Sequence, residues 1–182
     1  MKKNIMACVF ILMVACLPTG CSSWREVTIH ISEEQLQEHI NKKFPVIKTH
    51  QFLGTITYAH PLISLQREDN RVEFGLEISL SSIMINGSNL HGTVVVLASV
   101  VYSPEKKALF LADPQLQKFI LNGVPQENAQ SLSELYLPAL KKLLTRKPLY
   151  RLKEQDGVKK IAGMLVKDIR VRSGSLEVLC GI

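Results

Sequence analysis

The sequence predicts an α+β fold in which one curved antiparallel sheet wraps around, or packs on, a long kinked α-helix. Three observations carry that expectation. Between residues 53 and 121 apolar residues recur with a period of two, as strands with one wet face require. Between Leu132 and Leu144 the period lengthens to that of an amphipathic helix, with Pro138 inside it. The strand segments follow one another before that helix, which reads as an antiparallel meander and not as a helix-alternating parallel sheet.

The elements follow in chain order. Ser32-Glu33-Glu34-Gln35 is a capping box that opens a helix of about three turns. Its apolar stripe is Leu36, Ile40 and Phe44, and Pro45 ends it. Leu53 to Leu65 reads as the first strand and Val72 to Leu80, in strict alternation, as its partner, with Asp69-Asn70 in the turn. Asn86-Gly87 and His91-Gly92 bracket the next connection. Thr93 to Tyr102 is apolar on both faces, so both faces should be covered. Ser103 to Lys107 turns the chain, and Ala108 to Leu121 returns as a strand.

After Pro125 comes the long helix, with Leu132, Leu135, Tyr136, Ala139, Leu140, Leu143 and Leu144 at helical spacing. Pro138 lacks an amide hydrogen and should kink it near Glu134. Pro148 closes the segment, and Leu149 to Leu152 is a short strand. Val158, Ile161, Ala162 and Leu165 then mark a second C-terminal helix. Ile169 to Arg172, a Ser173-Gly174 turn and Leu176 to Leu179 finish the chain as strands.

Residues 1–20 have the layout of a leader and 21–182 that of a single domain. Lys2 and Lys3 precede an apolar run from Ile5 to Leu17, too short to cross a hydrocarbon core of about 30 Å. Pro18-Thr19-Gly20 breaks the run, and the sequence turns polar directly after Cys21. A cysteine at such a junction resembles the bacterial lipoprotein signal, in which the thiol takes a diacylglycerol and the new amino terminus a third acyl chain. Pro18 stands where that pattern prefers Leu, which leaves Cys16 as the alternative acylation site. A plain secreted protein cut near Gly20 is the rival reading. With Cys21 acylated, Cys180 is a single thiol, so no internal disulfide is expected, and its apolar neighbours make it a packing residue. Ser22 in place of an Asp favours the outer membrane, facing the periplasm, with the inner membrane as the alternative.

The net charge is +6, of which the leader lysines supply two, short of a nucleic-acid footprint. Lys141, Lys142, Arg146 and Lys147 cluster at the end of the long helix, where they complement its macrodipole and read as a solvated face. The histidines at 30, 39, 50, 60 and 91 are scattered without metal-ligand spacing. Asp69, Asp113 and Asp156 adjoin turn-forming Asn, Pro and Gly. Glu73 and Glu77 share a strand face, with no acid/base partner placed near either. Neither a nucleophile elbow nor a phosphate loop occurs. The expectation is a protein without catalytic residues, metal or cofactor, and an unrecognised enzyme is the least favoured reading.

What remains is apolar surface. A fully packed core is one outcome. The other is a tunnel between sheet and helix lined by Leu76, Ile78, Leu80, Val94, Val96, Leu140 and Leu144, suited to an acyl chain.

Several segments together carry a family resemblance: the leader with its Cys, Val27-Thr28-Ile29 running into Ser32-Glu33-Glu34-Gln35-Leu36, Leu137-Pro138-Ala139-Leu140, Pro148-Leu149-Tyr150-Arg151-Leu152, and Val166 to Gly174. The chain resembles the YceB-like bacterial lipoproteins, a family of uncharacterised function. Such proteins are similar in fold to tubular lipid-binding (TULIP, or BPI-like) domains, in which a highly curved antiparallel sheet wraps a long helix. The resemblance implies a lipid or other amphipathic ligand between sheet and helix, and supplies no catalytic motif. The function expected is therefore a membrane-anchored periplasmic lipoprotein that binds a hydrophobic ligand without catalysis. The alternative is an interaction or scaffold lipoprotein with a closed core and a protein partner yet to be named.

Overall fold

The computed structural model describes residues 26–50, 54–66, 69–81, 89–152 and 165–181. Among these residues, nine strands and two helices run in the order β1 (Val27–Ser32), α1 (Glu33–Asn41), β2 (Val46–His50), β3 (Gly54–Ser64), β4 (Val72–Ser81), β5 (Asn89–Ser103), β6 (Ala108–Leu121), α2 (Gln126–Arg146), β7 (Pro148–Arg151), β8 (Leu165–Arg172) and β9 (Ser175–Gly181). This is α+β with a strongly curled half-barrel sheet and two helices, as the periodicities predicted. The expected single sheet is corrected to two. Strands β2 to β7 pair in chain order in a six-stranded sheet, and β1, β9 and β8 form a separate three-stranded one.

The capping box forms as expected. The Gln35 amide donates to Ser32 Oγ at 3.2 Å, and the Ser32 amide donates to Gln35 Oε1 at 3.0 Å. Leu36 and Ile40 are buried, but the helix stops at Asn41, so Phe44 lies beyond it and joins the core from the connection. The other face of α1 joins the two sheets. Glu33 accepts the Leu65 amide at 2.7 Å, and Gln37, one turn on, accepts the Ile63 amide at 2.9 Å and donates to the Pro61 carbonyl at 2.6 Å. These bonds satisfy backbone groups at the end of β3 and just after it, past Tyr58, where the pairing of β3 with β2 stops.

Register shifts explain the curl. Pairing of β3 with β4 is interrupted between Ala59 and Leu62. Pairing of β5 with β6 shifts register between Val95 and Val96 and again between Leu97 and Ser99. A bulge adds a residue to one strand and increases local twist. His60 and Asp113, at two of these irregularities, have positive φ angles of 44° and 47°. The register shifts also alter the expected two-sided burial of β5. Val96, Leu97 and Ala98 are buried in succession, whereas Val95 is half-buried and Val101 is 45 % exposed. At Gly92 the strands approach so closely that a Cβ would meet the Ile120 carbonyl oxygen at 1.9 Å.

Helix α2 lies against β6 on the inner side of the curl. Its buried stripe is Ala129, Ser133, Tyr136, Leu140, Leu143 and Leu144. Leu135, expected on that stripe, is 51 % exposed. Pro138 sits on the exposed side of a continuous helix. There the Glu134 carbonyl, which Pro138 cannot serve, faces the side where water is available. The core spans both sheets, from Ile29 and Ile31 through the helix stripe to Leu176, Val178 and Cys180. The expected C-terminal helix at Val158, Ile161 and Ala162 and the Asn86-Gly87 turn lie outside the described residues, and Leu165 begins β8 instead.

Candidate functional site

Pairing builds the inner wall of the site from alternating residues. Ile56 faces Leu80 and Tyr58 faces Ile78 across β3 and β4, while Leu76 faces Val94 and Phe74 faces Val96 across β4 and β5. Phe119 stands opposite Val94 on β6. The helix stripe closes over this wall. All seven residues predicted to line a tunnel point into the interior: Leu76, Ile78, Leu80, Val94 and Val96 are at most 2 % exposed, and Leu140 and Leu144 are 4 % exposed.

The structure therefore brings the predicted set together but closes it. One gap in the helix–sheet seam, between Ile56, Tyr58, Ile78, Val94, Phe119, Tyr136 and Leu140, measures about 10 Å³. A second, at the far end of α2 between Ile40, Phe44, Phe74, Leu111, Leu143 and Leu144, measures about 20 Å³. Each is the size of a water molecule, against roughly 300–1,000 Å³ for a typical ligand site. Of the predicted set, Leu76, Leu80 and Val96 line neither gap. A roomier recess of about 220 Å³ lies on the outer face of the sheet, above Gly75 and beside Leu62, Glu73, Glu77 and Val95.

Two features of the seam escaped the sequence reading. Tyr58 is 1 % exposed, and its hydroxyl has no hydrogen-bond partner among the described residues. Burial, reinforced by nearby Tyr136, pushes its pKa up to about 12. Ser133 beside it donates its proton to the Gln130 carbonyl at 2.7 Å. The alternation around Tyr58 marks it as inward-facing, but nothing in the sequence shows whether its hydroxyl finds a partner.

The second feature is cationic. The solvated-face reading holds for Lys141, Lys142 and Arg146, which are exposed, but is corrected for Lys147, which is half-buried at the second gap. Its Nζ donates to the Lys43 carbonyl at 3.3 Å and lies 5.7 Å from the Phe44 ring centroid. Lys43 Nζ in turn donates to the Pro148 carbonyl. Burial first, then the positive charges of Arg151 and Lys147, lower the Lys43 pKa to about 8.

Glu77, expected to lack an acid/base partner, has one: His60 Nδ1 lies 2.7 Å from its carboxylate, on the exposed outer face. His91 Nδ1 lies 2.9 Å from Ser79 Oγ on the same face. Among the described residues no three His, Cys, Asp or Glu side chains are placed to hold a metal ion. Cys180 is 1 % exposed, and burial raises its thiol pKa. Cys8, Cys16 and Cys21 lie outside the described residues. Among the described residues no helix is long and apolar enough to cross a membrane.

Fold and seam together define a small α+β domain whose curled sheet closes on one helix across an apolar interface. The chain belongs to the family described as Protein of unknown function (DUF1439), whose model matches residues 31–175, from the end of β1 to the start of β9. No curated protein matches it.

Proposed function

We propose that this chain is a lipid-anchored cell-envelope protein that binds a lipid or other amphipathic molecule in the seam between α2 and the curled sheet, without catalysis. The observation that carries the reading is the seam itself. It is a continuous apolar interface between one helix and a bent sheet, and inside it the Tyr58 hydroxyl is a polar handle with no partner among the described residues. An empty apolar cavity of roughly 300 Å³ would cost about 7 kcal/mol at about 24 cal/mol per Å³. A seam that opens for an acyl chain is therefore expected to close without one, and water-sized gaps are compatible with binding only if α2 moves. The curled sheet and enclosed helix support the likeness to tubular lipid-binding domains and to YceB-like lipoproteins. The leader ending at Gly20 supports acylation at Cys21, with Cys16 as the alternative, and a periplasm-facing place on the outer membrane, or else the inner membrane.

Mass spectrometry of organic extracts from the intact protein, purified out of its membrane fraction, tests the binding reading. A stoichiometric acyl species supports it. Its absence, together with failure of added fatty acid to bind, removes it.

A second reading is favoured by the closed interior. The chain would be an interaction protein with a packed core, docking a partner over the outer recess, where Leu62 is 65 % exposed. Replacing Gly75 by a larger residue fills that recess and would abolish partner capture while leaving lipid content unchanged.

A further inference from the structure

At the end of α2, three elements bring cations to one place. Lys43 follows α1, Lys147 follows α2, and Arg151 ends β7. Lys43 and Lys147 are half-buried, and with Phe44 and Pro148 they rim the gap that leads inward to Phe74, Leu143 and Leu144. Among the described residues, no acidic one lines it. Each ammonium has a backbone carbonyl partner, Pro148 for Lys43 and Lys43 for Lys147, which holds it in place but supplies no negative charge. Burial first, and then the like charges of Arg151 and Lys147, make a free ammonium costly here, and both lower the Lys43 pKa. Helix-dipole complementation explains a cation after the last turn of α2. It does not explain a second one half-buried beside it on another element, nor the apolar floor beneath both.

Building on the seam-binding reading, we infer that this end of the seam is the headgroup site and that the ligand is an anionic amphiphile. Its carboxylate or phosphate is held by Lys43 and Lys147 with Arg151 nearby, and its chain runs inward past Phe44 and Phe74. Ammonium and guanidinium donors form charge-assisted hydrogen bonds to such oxygens, and the aromatic and leucine floor accepts the first methylenes.

The test titrates oleate, monoolein and inorganic phosphate, each below any aggregation threshold, into the full-length protein by calorimetry. Wild type is compared with Lys43→Met, Lys147→Met and the control Lys118→Met, an exposed lysine on β6. Methionine keeps an aliphatic stem, so packing is largely preserved, and thermal melts identify any variant that fails to fold. The expected result is oleate binding at least about tenfold tighter than monoolein. Either site variant should lose about that factor for oleate alone, and Lys118→Met should lose nothing. The Lys43 ammonium resonance should also shift its titration midpoint above 8 when oleate is added, and not with monoolein. Equal affinity for oleate and monoolein in every variant overturns the headgroup assignment and leaves the seam reading standing. Inorganic phosphate binding as tightly as oleate also overturns it, because a simple anion site needs no chain. No binding of either amphiphile removes both.

Discussion

Replacing Tyr58 by Phe deletes one atom from the centre of the seam and leaves its shape otherwise intact. The ring is 1 % exposed, between Ile78 on β4 and Tyr136 on α2, and its hydroxyl has no partner among the described residues. A buried hydroxyl without a hydrogen bond carries a desolvation cost of about 1–3 kcal/mol. Removing it should therefore stabilise the protein by about 1–2 kcal/mol, or about 2–8 °C in Tm for a domain of this size. Where a tyrosine hydroxyl is bonded, the same substitution costs about 1 kcal/mol, so the two cases differ in sign. Urea unfolding followed by circular dichroism, with the slope m compared alongside the midpoint, measures it. A loss of about 1 kcal/mol with unchanged m would show that the hydroxyl is satisfied in solution, and the description of Tyr58 as an unmatched polar group would fall.

Gly92→Ala should destabilise by about 3 kcal/mol or more, because the new methyl meets the Ile120 carbonyl at 1.9 Å and strand backbone must move; a near-neutral melt would refute the close approach of β5 and β6. Ser32→Ala removes the cap of α1 and should cost about 1 kcal/mol in chemical denaturation, whereas Ser131→Ala, on an exposed turn of α2, should change little. Lys43, whose folded pKa of about 8 lies below its ordinary 10.5, binds fewer protons folded than unfolded between those values, so stability rises with pH across that window. Tyr58, raised from 10 to about 12, acts in the opposite sense above pH 10. Melts at pH 8.0 and 9.5 should show a gain in wild type that Lys43→Met lacks, and equal gains would remove Lys43 as the cause. Cys21→Ser should block acylation and leave the protein unanchored or unprocessed; if Cys16→Ser does so instead, Cys16 is the anchor.

Most of the large sheet was legible because alternation survives wherever one face is buried. Val72 to Leu80 and Ala108 to Leu121 were placed within a residue of β4 and β6. Strands β1 and β2 were not expected as strands. Val27 to Ser32 runs directly into a strong helix signal, and Val46 to His50 offers only five residues after a proline. Neither shows in isolation which sheet it joins, since β1 pairs with β9 from the other end of the chain. The inward direction of Leu76, Val94 and Leu140 followed from periodicity, but whether they enclose space depends on how α2 sits against β6. That depth is set by packing of the whole layer. The cationic rim was illegible because Lys43 and Lys147 are 104 residues apart and meet only through the fold.

Opening of the seam is the measurement that reaches the central claim most directly. Spin labels at Leu135, on the exposed face of α2, and at Ile47, 63 % exposed on β2, report the helix-to-sheet distance by pulsed electron resonance. Oleate should lengthen the principal distance by about the width of one acyl chain, saturating at one equivalent, while phosphate leaves it unchanged. A distance that stays fixed while oleate binds would place the ligand elsewhere and contradict the account.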